Sequence, residues 1–177
     1  MGKVLSNAGS GATGGILNGM NWAIANRCQV ISMSLGSQAP VQAAYTAAGT
    51  AALNSGCLII AAAGNAGAAT GAPANSPTIM SVASLDRNLA PSSFSNSGKI
   101  EIAAPGRDID SSVPRPSRYG TKSGTSMATP HVAGCAALWA ETGASLRGRS
   151  LWTTLQTTAR PLPFPPSRVG RGLVQAP

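Results

Sequence analysis

The chain of 177 residues carries 13 Lys and Arg against 5 Asp and Glu, a formal net charge of +8, with 43% hydrophobic but only 4% aromatic residues. That apolar share supports one buried core and argues against a disordered chain, while the longest apolar run, CLIIAAA at 57–63, is far short of a bilayer span. The opening MGKVLSNAGSG has no basic head followed by an apolar stretch, so no export signal is read in it.

Taken in chain order, GILNGMNWAIAN at 15–26 repeats apolar residues at Ile16, Met20 and Ala23 and predicts a helix. VISMSL at 30–35 is short, apolar and β-branched, and predicts a buried strand. VQAAYTAAGTAALNSG at 41–56 predicts a second helix, with Gly56 suited to the position just past its end. Three more strands follow at CLIIAAA (57–63), TIMSVAS (78–84) and IEIAA (100–104), and GTSMATPHVAGCAALWAETG at 124–143 predicts a third helix ended by Gly143. From 160 onward the chain holds five of its 13 prolines and is expected to be an extended, wrapping tail.

Helices alternating with buried strands imply parallel βαβ units, hence an α/β fold: an open parallel sheet flanked by helices in three layers, one domain over 1–177 with the tail at about 160–177. With 21 glycines and few aromatics, its core must rest on Ala, Val, Ile and Leu. Cys28, Cys57 and Cys135 are odd in number and have no C-x-x-C spacing, which suggests free thiols rather than a zinc site or disulfide framework. Beyond Glu141 no acidic residue follows, whereas Arg147, Arg149, Arg160, Arg168 and Arg171 do. Without interleaved aromatics these arginines suggest a solvated basic face rather than a nucleic-acid surface.

In open parallel sheets, loops and helix N-termini converge at the carboxyl ends of the strands. AAAGNAG places Gly64 and Asn65 there, and SGTSMATPHVAG places Ser126 at the start of a helix, with Pro130 four residues on. A serine so placed exposes its oxygen and its own N–H near a helix dipole that favours negative charge. An Asn65 amide would add a second donor to a developing oxyanion. Singly, each residue has a plainer role, Ser126 as a helix cap and Asn65 as a turn former.

GTSMATPHVAG resembles the nucleophile motif of the subtilisin-like serine proteases, the subtilase family (peptidase S8), and the resemblance runs from about residue 3 to 176, nearest the proteinase K branch. KVLSNAGSG looks like the family's strand before its substrate-side helix. VISMSLGS looks like the segment whose Ser34, Leu35 and Gly36 line the substrate cleft. AAAGNAG looks like the P1-pocket wall, Ala62, Ala63 and Gly64, followed by the oxyanion asparagine, here Asn65. SSFSNSGKIEIAAPG and VGRGLVQA match further landmarks. The resemblance implies a serine endopeptidase working by acyl transfer through Ser126 on a peptide or ester substrate, secreted, with no required cofactor. It also implies a structural calcium held by the carbonyls of Pro77 and Ile79 and the carboxylate of Glu101, where the family usually has Asp. The alternative for Glu101 is a surface acid near a turn.

The family's order is Asp, His, Asn, Ser, with Asp and His in motifs well before the asparagine. Here the first acidic residue is Asp86, after Asn65, and the single histidine is His131. Five residues along a helix turn about 140°, so His131 faces away from any cleft that Ser126 faces, and is expected to be a satisfied core histidine. The resemblance therefore implies the C-terminal two thirds of a subtilase catalytic domain, N-terminally truncated. Three readings stay open: a peptidase that needs the absent segment, a weak stand-alone hydrolase of activated esters, and an inactive peptide-binding remnant. The family's central strand between KVL and VISMSL is also absent, so either a complementing segment or self-association is expected along that edge.

Overall fold

In the computed structural model, which describes residues 2–177, four strands form one parallel sheet: β1 (Val30–Met33), β2 (Leu58–Ala62), β3 (Met80–Leu85) and β4 (Ile102–Pro105), in spatial order β1-β2-β3-β4. Val30 lies opposite Leu58, Ile60 opposite Met80 and Val82 opposite Ile102. All of β2 and β3 is buried, which is why both are runs of Leu, Ile, Val, Ala, Met and Ser rather than alternations of polar and apolar residues.

Successive side chains of a strand point to opposite faces, and this sorts the core into two layers. Leu58, Ile60, Met80, Val82 and Ile102 pack against Ala128, Val132 and Ala136 of helix α3 (Thr125–Thr142) and Leu151, Trp152 and Leu155 of helix α4 (Gly148–Thr158). Ile59 and Ala61 face the other way, onto Ile16 and Met20 of helix α1 (Thr13–Ala25) and Tyr45, Ala48 and Ala52 of helix α2 (Ala43–Asn54). This is the expected three-layer α/β arrangement. Burying each Leu or Ile side chain contributes roughly 1.5–3 kcal/mol, so truncating Ile60 alone would remove a large part of a domain's net stability.

The end of α2 follows from Gly56: its N–H bonds the Leu53 carbonyl at 3.1 Å, and the Cys57 N–H bonds that of Ala52 at 2.8 Å. These two bonds satisfy carbonyls that the helix leaves open and turn the chain directly into β2. In α3, Pro130 has no N–H to give the Ser126 carbonyl. The Ser34 hydroxyl fills that vacancy at 2.7 Å, tying the end of β1 to the start of α3.

Three features differ from the expectation. Residues 3–5 form no strand, because none of the four strands offers them a ladder. Helix α4 was not anticipated, nor was the polar antiparallel hairpin of β5 (Ile109–Ser112) and β6 (Tyr119–Lys122). The tail is largely extended but includes one helical turn, α5 (Pro166–Val169), and then pairs with the sheet: the Ala103 N–H bonds Gly172 at 2.9 Å and the Val174 N–H bonds Ala103 at 3.0 Å. Among the described residues no helix is long and apolar enough to cross a membrane.

Candidate functional site

The carboxyl ends of β1 and β2 and the N-terminus of α3 meet at a cleft of about 520 Å³. Ser34, Leu35 and Gly36 line it from β1, Ala62, Ala63, Gly64 and Asn65 from β2, and Thr125 and Ser126 from α3. Gly71, Ala72 and Pro73 close a further wall. The fold therefore brings together every residue expected at the cleft, from stretches separated by up to about ninety positions.

Asn65 is held by its oxygen. Its Oδ1 accepts from the Thr125 N–H at 2.8 Å and the Thr125 hydroxyl at 2.9 Å. A backbone N–H can only donate, so the amide's orientation is fixed and its NH₂ group is the end left over. Neither that NH₂ nor the Ser126 N–H finds an acceptor among the described residues. Both lie beside the first turn of α3, where helix N–H groups and the dipole favour an anion. Thr125 does double duty, since its hydroxyl also accepts from the Gly64 N–H at 3.1 Å.

A further layer comes from Asn96, fully buried and given no role by the sequence reading. Its amide NH₂ donates to the carbonyls of Ala63 and Ala69 at 3.0 Å, and its oxygen accepts from the N–H groups of Ala66 at 2.9 Å and Ala68 at 3.1 Å. One side chain thus shapes the whole loop that carries Asn65. Lying in the polar string SSFSNSG, it has no periodicity that would mark it as buried.

Ser126 is half-buried, and its hydroxyl makes one long bond, to the Ser34 carbonyl at 3.4 Å. His131 is not the core residue expected: it is exposed, and its Nδ1 sits 2.8 Å from the Met127 carbonyl one turn back along α3. Among the described residues the outer side of α3 has nothing packed over it, so the ring rests on its own helix. Among the described residues, no side chain is placed to take a proton from Ser126.

The oxygens expected to hold calcium are engaged by the chain's own cation. The Lys99 ammonium donates to the carbonyls of Ile79 and, at 2.9 Å, Ala74, and pairs with Glu101 Oε2 at 2.7 Å. Ala74, not the exposed Pro77, supplies the remaining oxygen. The same Glu101 oxygen accepts the Ser81 N–H at 2.7 Å and the Ser81 hydroxyl at 2.8 Å. Burial holds the Lys99 pKa below the ordinary lysine value, against the opposing pull of the Glu101 charge and hydrogen bond.

Comparison with known proteins agrees with this architecture. The family model described as "Subtilase family" matches residues 1–172. The chain is 42% identical over 176 residues to a thermostable alkaline protease of Halalkalibacterium halodurans, covering 98% of this chain and 48% of that protein. It is 40% identical over 164 residues to subtilisin E of Bacillus subtilis, covering 89% of this chain and 41% of the relative. With subtilisin Savinase of Lederbergia lenta it shares 40% identity over 176 residues, 98% of this chain and 64% of the other. A crystal structure of a lanthipeptide protease superposes with a TM-score of 0.88 at 25% identity, over 98% of this chain and 66% of that one. The chain therefore spans about half the length of these curated relatives.

Proposed function

The chain belongs to the subtilase family, and we propose that it is the nucleophile-bearing part of a serine endopeptidase whose Asp and His are supplied by residues outside these 177. One observation carries this reading: Ser126 stands at the N-terminus of α3 with two unengaged donors nearby, its own N–H and the oriented Asn65 amide. In acyl transfer the serine oxygen attacks a peptide carbonyl, and charge develops on the carbonyl oxygen. Donors that are already fixed stabilise that charge without reorganising. Ala62, Ala63 and Gly64 would hold the P1 side chain, and Ser34, Leu35 and Gly36 would pair with an extended peptide backbone.

The chain's open surfaces support a supplied segment. Among the described residues, the outer edge of β1 is unpaired. A groove of about 320 Å³ runs along it, lined by Val4, Leu5, Met20, Trp22, Ile31 and Met33. On α3, Met127, His131, Gly134 and Leu138 recur at three- and four-residue spacing, and the last three are exposed. Adjacent surfaces of this kind suit a strand and a helix delivered together. Like its family, the whole enzyme is proposed to act outside the cell.

A proton acceptor is what the isolated chain lacks, so a fluorophosphonate should label Ser126 slowly or not at all. Adding a peptide that carries the family's Asp and His motifs should bring both labelling and peptide hydrolysis, and Ser126→Ala should abolish them. Rapid labelling of the chain alone would show a base within it and overturn the need for a supplied segment. Hydrolysis of p-nitrophenyl esters alone, lost in Ser126→Ala, would favour the weak esterase reading. Peptide binding that never leads to turnover, even with the added segment, would favour a binding remnant.

A further inference from the structure

The Lys99 cluster stands apart from the chemistry of Ser126, and its parts add up to a site for a cation. Three oxygens converge on one point: the carbonyls of Ala74 and Ile79 and Oε2 of Glu101. The Glu101 side chain is 14% exposed, and a carboxylate so sheltered requires a positive charge beside it. Across the point lies the Trp152 ring, with the ammonium 5.8 Å from its centroid, within the reach of a cation–π interaction. The oxygen set does not fit calcium while Lys99 is in place. Ca²⁺ takes six to eight oxygens at about 2.3–2.6 Å, whereas here an ammonium of compact radius already occupies the convergence at hydrogen-bond distances.

We propose that Lys99 is a tethered, permanent substitute for the structural cation of this site, so that this part of the fold is assembled without metal. Its effect reaches the cleft. The Asn75 N–H bonds the Gly71 carbonyl at 2.9 Å, and Gly71, Ala72 and Pro73 form a wall of the cleft. By tying Ala74 and Ile79 to the start of β4, Lys99 fixes the segment that continues from that wall. A metal-bound version of the same clamp would loosen whenever the ion left. A covalently attached ammonium cannot be removed by a chelator.

The test uses binding and melting rather than catalysis, so it is independent of how Ser126 performs. In the unaltered chain, millimolar Ca²⁺ and excess EDTA should give melting temperatures within about 1 °C of each other, since no site gains from the ion. Terbium, a luminescent stand-in for Ca²⁺, should give no emission excited through Trp152. Lys99→Ala exposes the three oxygens. It should melt lower in EDTA, recover by about 5 °C or more at Ca²⁺ a hundred-fold above its Kd, and bind Tb³⁺ with emission that Trp152→Phe removes. A Ca²⁺-dependent rise in the unaltered chain that Glu101→Gln abolishes would overturn the proposal, because the metal would then displace Lys99. A folded Lys99→Ala that takes up neither ion would overturn it too. Should Lys99→Ala not fold, the arms on the unaltered chain still decide, together with Lys99→Arg, which keeps the charge and should stay insensitive to Ca²⁺ and EDTA.

Discussion

The two edges of the sheet are built in opposite ways. At β4 the chain closes its own edge: Gly172 and Val174 hydrogen-bond Ala103, the Arg171 N–H bonds the Glu101 carbonyl at 3.0 Å, and Val169 is buried against Leu85 and Ile100. At β1 nothing among the described residues pairs on the outer side, Val30 and Ile31 are only half-buried, and Trp22 stands 54% exposed over the adjoining groove. An open strand edge presents a row of N–H and C=O groups free to pair with another chain. The difference teaches that the β4 edge is closed by the chain's own tail, whereas the β1 edge leaves its ladder groups open among the described residues. Ser126, Asn65 and the cleft lie at the end of β1 and β2, nearer the open side.

The strongest way to sharpen this contrast is to fill the open edge. A segment carrying the family's Asp and His should raise peptidase activity by at least about 10⁴-fold, a magnitude measured in subtilisin itself, and raise the melting temperature in the same titration. Asn65→Ala should then lower kcat by about 10²-fold or more, again as measured for subtilisin's own asparagine. An activity gain without a thermal shift would mean that the segment works without docking on β1.

Alkali should next loosen the layer that α1 and α2 form on one face of the sheet. Cys57, just before the interior strand β2 and packed in the layer of α1 and α2, is 1% exposed, and its thiol is pushed up from 9.0 to about 12, first by burial and then by the neighbouring Cys28. The folded chain holds that proton after the unfolded chain has released it. Stability from this group is therefore complete below pH about 9 and falls as pH climbs to about 12, by up to roughly 4 kcal/mol. Urea titrations across that range, on the unaltered chain and on Cys57→Ala, check it: the variant should lose much less. Equal losses in both would place the alkaline weakness elsewhere.

The closed edge can be opened from within. Gly170 has φ +60°, and a Cβ there would land on the Glu101 carbonyl group. Gly170→Ala should cost about 3 kcal/mol, from left-handed strain together with the collision, and should free the tail from Ala103. Hydrogen exchange should then speed up in β4 while β1 is unchanged. If β1 responded instead, the two edges would be one cooperative unit.

Much of the fold was legible because β2 and β3 are uninterrupted apolar runs and the helices between strands repeat small apolar residues on one face. The cleft was legible through Asn65 and Ser126, whose flanking glycines and proline mark tight turns. Helix α4 escaped because Leu151, Trp152 and Leu155 are set among Arg, Ser and Thr residues that resemble a polar loop. The β5 and β6 hairpin is mostly polar, with only Ile109 and Tyr119 apolar and on opposite faces, and offers no alternation to read. Lys99 and Asn96 could not be found in the same way. Their roles are defined by carbonyl oxygens and N–H groups of distant residues, which no side-chain pattern encodes. His131 was misjudged because facing away from the cleft was equated with facing the core, whereas that side of α3 is solvent-facing.

The smallest effect on folding carries the finest test of the contrast. Ser32 is the exposed member of β1, and an unpaired edge is a template for another strand. If the open edge is what draws two copies together, the unaltered chain should self-associate with rising concentration. Ser32→Lys would place a charge along that edge, where pairing with a second copy would bury it or set two lysines side by side. The substitution touches no packed contact, so the free energy of unfolding should move by no more than about 0.5 kcal/mol. The weight-average mass by sedimentation should nonetheless fall to that of a single chain. Covering the edge with the complementing segment should have the same effect on mass without any substitution, since segment and second copy would compete for one ladder. An unaltered chain that stays monomeric at all concentrations, or a Ser32→Lys chain that still associates, would show that β1 is not the surface at which copies meet.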